Sequence, residues 1–598
     1  MRNVCRELFQ LSDVAKAPLS ADYERVLRQL QPFMDEQRFA CEPMDVELSF
    51  LSGKERKSEY TDPEMLDTYA AILNEIVAKP TRNAPVETPL LRVRYVSFAG
   101  VTVSTRRELQ AFTSLMARNP FPIDNMCPTI NRNLDPVAMS RFLTTILQTP
   151  DLSQNNSSLV GGRPTTKQGK LESMMFFFST ANRHSLACFF SALPFAHSLQ
   201  TLRLAELGLT MDWVWTKFEC YWLAYACFHP RTKTSSWGAL CTLLATMTDE
   251  ARDALADIQQ APVRALSATR LAVVTGVVST SEARSDRLQL AAVKEGATIY
   301  AKPSVQATAL ITLGDNAELE MCDLHAREWH CVLVPGYSFG WVQACDVAVT
   351  KEWVLEGPLT SSLKELVAPS PFSVEDALLV LNVLGSGIET LTLLQGCESG
   401  SILEKVALRC PNLKSLTLGH KGEPLSQHSL KRFFSSTTGK LESLTVDWEK
   451  ANAPVLLKIL SKKTHKAGVQ RLKRLQLSRL TPSICGAPQM ASLEAMLKAN
   501  RSLEQLYFQV DDAHCSWDMR MPGAGLEEHN GEDIYHDQHL KQRLAFLSVL
   551  KRHHREEKQQ PSQALELNPT VLAAIFTFAI PPVRRIVYLP SVMIEYHG

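Results

Sequence analysis

Residues 413–418 read LKSLTL and residues 441–446 read LESLTV. Both follow one spacing, apolar-x-x-apolar-x-apolar. The same spacing returns at Ile388-Leu391-Leu393, Leu472-Leu475-Leu477 and Leu503-Leu506-Phe508, and Leu363-Leu366-Ala368 is a weaker copy. The starting residues 363, 388, 413, 441, 472 and 503 give steps of 25, 25, 28, 31 and 31. Alternation with a period of two inside each copy predicts a short strand with one buried face. Between the copies, 402–408, 429–434, 454–460 and 493–497 carry helical spacing. One strand and one helix cannot bury their own apolar face, but stacked copies bury it against one another.

A recurrence of 25–31 residues built this way resembles the leucine-rich-repeat period. The units are most similar to the ribonuclease-inhibitor-like subclass. That family often places Asn or Cys shortly after the third apolar residue, where the side chain satisfies backbone groups of the turn. This chain has Lys421 in one such slot and Leu207 in an earlier copy. Turn groups then need other partners, so irregular turns and an imperfect horseshoe are expected.

Outward from this stretch the pattern weakens. Residues 1–45 have helical spacing, with Leu8, Leu11, Val26, Leu27 and Leu30 on one face, and predict a helical cap over the end of the stack. Alternation at 46–50 and the set Val93-Val96-Phe98 predict strands, and 63–78 and 105–116 helices. Residues 151–170, DLSQNNSSLVGGRPTTKQGK, predict a polar surface loop. Its glycines lack phosphate-loop spacing, and Leu171 stands where Ser or Thr would follow Lys170. Leu199-Leu202-Leu204 restores the repeat after an apolar helix at 186–193. Trp213, Trp215, Phe218, Tyr221, Trp222, Tyr225 and Phe228 then recur at offsets that mostly suit a helix, and they predict core rather than an exposed patch. Strands are predicted at 237–244 and 266–278, and a helix at 248–258.

From Asp286 to Val349 the period breaks into short strand-like pieces. Ala297-Thr298-Ile299-Tyr300 before Pro303-Ser304, then Ile311-Thr312-Leu313, Trp329-His330-Cys331-Val332 and Gly340-Trp341-Val342 resemble a bacterial-type SH3-like (SH3b) domain. The resemblance implies a small barrel, with alternation in 329–333 offering one face to its core, Gly340 allowing a close approach and Trp341 plugging the interior. After Phe508 come an acidic, His-bearing loop at 511–539, a helix at 540–552 and a tail at 567–590. The tail resembles half of an F-box, the motif of ubiquitin-ligase adaptors, but repeat logic predicts a capping helix there.

The 598 residues are 45% apolar and 21% charged, an ordinary globular composition, and formal charge is zero. Nothing global draws the chain to nucleic acid or anionic membrane. The start carries charges within its first apolar run and lacks a secretory h-region, and 174–196 is interrupted by Arg183 and His184. A cytoplasmic (or nuclear) protein with reduced, mostly buried cysteines is expected. His514, Cys515, His529, His536 and His539, and the set Cys322, Cys331, Cys345, His325 and His330, lack zinc-type spacing. No Walker, Rossmann, nucleophile-elbow or kinase signature occurs. The run Lys458, Lys462, Lys463, Lys466, Arg471, Lys473, Arg474, Arg479 contains no acid, yet no aromatics interleave it for base stacking, and a solvated surface is expected.

The expected fold class is therefore α/β: a leucine-rich-repeat solenoid, or horseshoe, with an inserted small all-β SH3-like barrel. The expected parts are a cap at 1–45, irregular repeats at 46–285, the barrel at 286–349, repeats at 350–510, and an acidic loop with a helical cap at 511–598. The expected function is a non-enzymatic scaffold that binds a protein partner, with no cofactor or metal and no membrane, nucleic-acid or small-molecule ligand. The alternatives are a ubiquitin-ligase adaptor using the tail, or a glycan binder using the SH3-like unit. Strand parity places Thr390, Thr392, Ser415, Thr417, Ser443, Thr445, Asp447, Arg474, Gln476, Ser478, Gln505, Tyr507 and Gln509 on one outward, concave face.

Overall fold

The computed structural model describes residues 8–10, 44–49, 91–103, 105–118, 123–130, 136–147, 149, 152, 171–177, 183–197, 199–205, 214–235, 237–242, 246–324, 328–355, 357–368, 374–393, 401–419, 425–436, 440–447, 453–461, 471–480, 487–500, 502–510, 533–534 and 583–588. The described chain is mixed α/β, with parallel and antiparallel sheet, and divides into compact units at 1–387 and 388–598. The predicted helices at 63–78 and 540–552, the loop at 511–539 apart from 533–534, and Lys421 and Leu207 lie outside the described residues.

The first unit opens with strands β1 (Leu8–Gln10), β2 (Met44–Ser49) and β3 (Leu91–Val103), helix α1 (Arg106–Arg118), β4 (Ile123–Ile130), α2 (Pro136–Leu147), β5 (Leu171–Phe177), α3 (Arg183–Ala192) and β6 (Thr201–Ala205). Neighbouring strands pair parallel in chain order. Leu8 thus lies in a strand beside Glu47, not in a capping helix; the other residues named for that cap are outside the described set.

Next come β7 (Val214–Trp215), α4 (Lys217–Phe228), β8 (Ala239–Thr242), β9 (Thr246–Met247), α5 (Asp249–Gln260) and α6 (Ala268–Thr275). Thr216 and Glu219 form a capping box at the start of α4, with the Thr216 amide donating to Glu219 Oε2 at 2.8 Å. Every residue of α4 after Lys217 is buried, so Phe218, Tyr221, Trp222, Tyr225 and Phe228 are core, as is Trp215; Trp213 is outside the described residues. The predicted strand at 266–278 is instead helical. Ser267 caps α6 by accepting from the Arg270 amide at 3.3 Å, and Gly276 ends it at φ 81°, a left-handed conformation suited to glycine. These two stops outweigh the strand preference of Val273 and Val274.

An antiparallel sheet follows: β10 (Gln289–Val293), β11 (Thr298–Tyr300), β12 (Ala309–Thr312), β13 (Ala317–Met321), β14 (Trp329–Val334), β15 (Ser338–Gln343) and β16 (Val347–Glu352). Its order is β12-β11-β15-β14-β13-β10-β16, without the closing pair between β12 and β16 that a barrel requires among the described residues. Gly340 does meet the expected close approach, since a Cβ there would collide with Ile299 Cγ2. Trp341 is not the interior plug. Parity turns Gly340 and Val342 inward with Ile299, Leu310 and Val332, and leaves Trp341 half-exposed on the other face. Nor does β14 keep one wet face, because Cys331 to Val334 are all buried.

The cause is the helical layer behind. Phe339 meets Trp222 edge-on with ring centres 5.9 Å apart, Gly336 N donates to Ser191 Oγ at 3.0 Å, and Asp323 N donates to Thr269 Oγ1 at 2.8 Å. Tyr225 Oη donates to Glu320 Oε1 at 2.9 Å, and His229 Nε2 lies 3.0 Å from the same oxygen. The chain then enters β17 (Glu365–Ala368), which pairs parallel with β8, and ends the unit with helix α7 (Val374–Leu384). The antiparallel sheet therefore lies in the connection between two adjacent parallel strands.

The second unit repeats one motif: β18 (Thr390–Leu393), α8 (Ser401–Arg409), β19 (Ser415–Leu418), α9 (Gln427–Ser436), β20 (Ser443–Asp447), α10 (Ala453–Leu460), β21 (Arg474–Leu480), α11 (Ala487–Ala499) and β22 (Gln505–Val510). Short β23 (Asp533–Ile534) pairs with β24 (Val583–Arg584), and β25 (Ile586–Tyr588) pairs parallel with β22. The described part of the tail is therefore strand, not capping helix. Val583, Ile586 and Val587 favour extended backbone.

Candidate functional site

The parallel register of the second unit aligns its leucines. Leu391, Leu416, Leu444, Leu475 and Leu506 are successive partners, all buried. Burying one such side chain stabilises by about 1.5–3 kcal/mol, so a one-residue slip of any strand is strongly disfavoured. The leucine row thereby fixes what stands beside it. Thr390, Ser415, Ser443, Arg474 and Gln505 align in one polar row, and Thr392, Thr417, Thr445, Gln476 and Tyr507 in a second. Ser478 and Gln509 are partners in a third.

Arg474 is exposed, and the other described side chains of these rows are half-buried, each beside a buried leucine of the core row. Asp447 is the exception and a correction: it is only 4% exposed. Alternation holds through Thr445 and Val446, but at Asp447, the last residue of β20, it breaks and the side chain is buried. The expected face thus loses its carboxylate. It also extends further than expected, since Ile586 is the register partner of Gln505 and Tyr588 that of Tyr507.

A second feature borders the rows. The residue before each strand is Glu389, Lys414, Glu442, Lys473 and Glu504 in turn, an alternation of charge readable in the sequence and missed there. Lys414 Nζ donates to Glu389 Oε2 at 2.5 Å, and Lys473 Nζ lies 3.9 Å from Glu442 Oε2. The Glu389 hydrogen bond, then the charges of Glu389 and Glu442, hold Lys414 above its ordinary range. Matched charges on adjacent strands favour this register. Of the basic run, Lys458 and Arg471 are also exposed, while Lys462, Lys463 and Lys466 lie outside the described residues.

Gln505 bridges the rows. Tyr507 Oη donates to Gln505 Oε1 at 3.3 Å, which takes one lone pair of the carboxamide oxygen and leaves its amide as donor. At the end of the unit Arg585, 2% exposed, donates from Nε to the Leu503 carbonyl and from Nη1 to that of Leu497, both at 3.0 Å, and from Nη2 to Asn500. These satisfy carbonyls left over where α11 ends. Asn500 adds to the same turn by accepting from the amides of Ser502 and Leu503, both at 2.9 Å.

The other titratable candidates are structural. Cys188, Cys220, Cys227, Cys322, Cys331 and Cys410 are free and buried, and Cys345 is exposed. Burial pushes the Cys188 and Cys227 thiols far up and that of Cys410 up to about 12. His330 is lowered by burial, and His325 and the histidines of 511–539 lie outside the described residues. No group of three or more His, Cys, Asp or Glu able to hold a metal occurs among the described residues, and none of their helices is long and apolar enough to cross a membrane. No family model matches the chain, and no curated protein is significantly similar to it.

Proposed function

We propose that this chain is a non-enzymatic scaffold that binds a protein partner on the outward face of β18–β22. We read the second unit as a leucine-rich-repeat solenoid of the ribonuclease-inhibitor-like kind. The antiparallel sheet in the connection between β8 and β17, in the first unit, is read as an SH3-like unit inserted between two repeat strands. The observation that carries this reading is the register: buried leucines in one row force hydroxyl, amide, Arg474 and Tyr507 side chains into adjacent rows on one face. A surface ordered in advance loses little entropy on binding. Arg and Tyr are also the residue types that most often dominate interface energetics. Affinity capture with the full chain, followed by titration of the recovered protein, tests this. Arg474→Ala and Tyr507→Ala should each weaken binding by more than ~1 kcal/mol without altering the melt. Unchanged affinity in both variants would move the site off this face.

A further inference from the structure

Among the described residues, the charges along the face do not balance. Beside it, Lys414 is held by Glu389 and Lys473 faces Glu442. On it, the one acid expected from parity, Asp447, is buried. Arg474 is left exposed and, among the described residues, makes no ion pair, with Gln505 its direct partner on the adjoining strand. Strands of one sheet run about 4.8 Å apart, so guanidinium and carboxamide are neighbours. Because Gln505 Oε1 accepts from Tyr507, what this corner offers outward is a set of N–H donors carrying one positive charge.

We propose that Arg474 and Gln505 anchor one aspartate or glutamate side chain of the docked protein, an inference that rests on the binding face argued above. The guanidinium takes both carboxylate oxygens in its planar fork, and Gln505 Nε2 adds a third hydrogen bond. A singly charged carboxylate matches the one cation of these rows that, among the described residues, makes no ion pair. A phosphate dianion would call for a second, and the adjacent lysines are already matched by glutamates.

Fluorescence anisotropy on the full chain tests this with three labelled decapeptides: alternating Ser-Glu, alternating Ser-Gln, and alternating Gly-phosphoserine. The Ser-Glu peptide should bind at least about fivefold tighter than Ser-Gln. Arg474→Ala should abolish that preference, and Arg474→Lys, which keeps the charge without the fork, should lose most of it. Lys458→Ala, on α10, should retain it. Equal binding of the Glu and Gln peptides overturns the proposal, as does a preference surviving in Arg474→Ala. Tighter binding of the phosphoserine peptide than of Ser-Glu overturns it in favour of a phosphate site. If the preference is absent while Tyr507→Ala still loses the captured partner, the acid anchor fails and the binding face stands; if both results are negative, both fail.

Discussion

Arg585→Met removes a buried guanidinium while keeping much of its volume. In the native chain the side chain serves three backbone carbonyls, those of Leu497, Asn500 and Leu503. A hydrogen bond from a charged donor contributes about 1.5–3 kcal/mol, and a buried acceptor left unmade costs about 1–3 kcal/mol. Some of the three will recover a water, and contributions within one turn are not additive. A loss of about 3–5 kcal/mol is expected, concentrated where α11 meets β22. Hydrogen exchange on peptides covering 487–510 reads it directly. Protection there should fall by about 100- to 4000-fold, because each 1.4 kcal/mol is a factor of ten. Arg585→Lys should fall between, since an ammonium cannot reach three carbonyls in a fork. A change below about 1 kcal/mol in Arg585→Met would refute the view that this arginine closes the end of the helix.

Leu475→Ala should destabilise by about 2–5 kcal/mol in a urea titration, because Leu475 is wholly buried between Leu444 and Leu506. Burial raises the Glu219 carboxyl above its ordinary 4.5, so folding favours its protonated form and its ionisation costs stability as pH rises through the raised value. The melting temperature of Glu219→Gln relative to the parent should therefore increase between about pH 4 and about pH 8, and a constant or falling difference would contradict this. Brief iodoacetamide labelling of the native chain, read by peptide mass spectrometry, should modify Cys345 and spare Cys188, Cys220, Cys227, Cys322, Cys331 and Cys410.

What the sequence made readable was local. Leu413-Leu416-Leu418 and its copies give their strands directly, because period-two burial leaves its mark within six residues. Trp222 and Tyr225 read as core for a similar reason, at helical period. Failures came where a distant partner decides. Nothing near Ala239 signals that its strand will pair with Glu365, more than a hundred residues on. Trp341 looked interior beside Gly340, but neighbouring strand residues face opposite ways, and Gly340 and Val342 take the core face. Arg585 carries no local hint of burial, since its three acceptors lie 82 to 88 residues earlier. Asp447 keeps its register with Ser478 but is buried, which strand parity does not signal.

The most direct test of the proposed binding face is a photo-crosslinker, benzoylphenylalanine, placed singly at Thr417 on the strand face and at Leu408 on helix α8. Both positions belong to the second unit, and Leu408 is a large exposed apolar side chain, so a bulky probe is tolerated there. Irradiated with the captured partner, the chain labelled at Thr417 should form a covalent adduct, and that labelled at Leu408 should not. Adducts from Leu408 with none from Thr417 would place the partner on the helices and contradict the account.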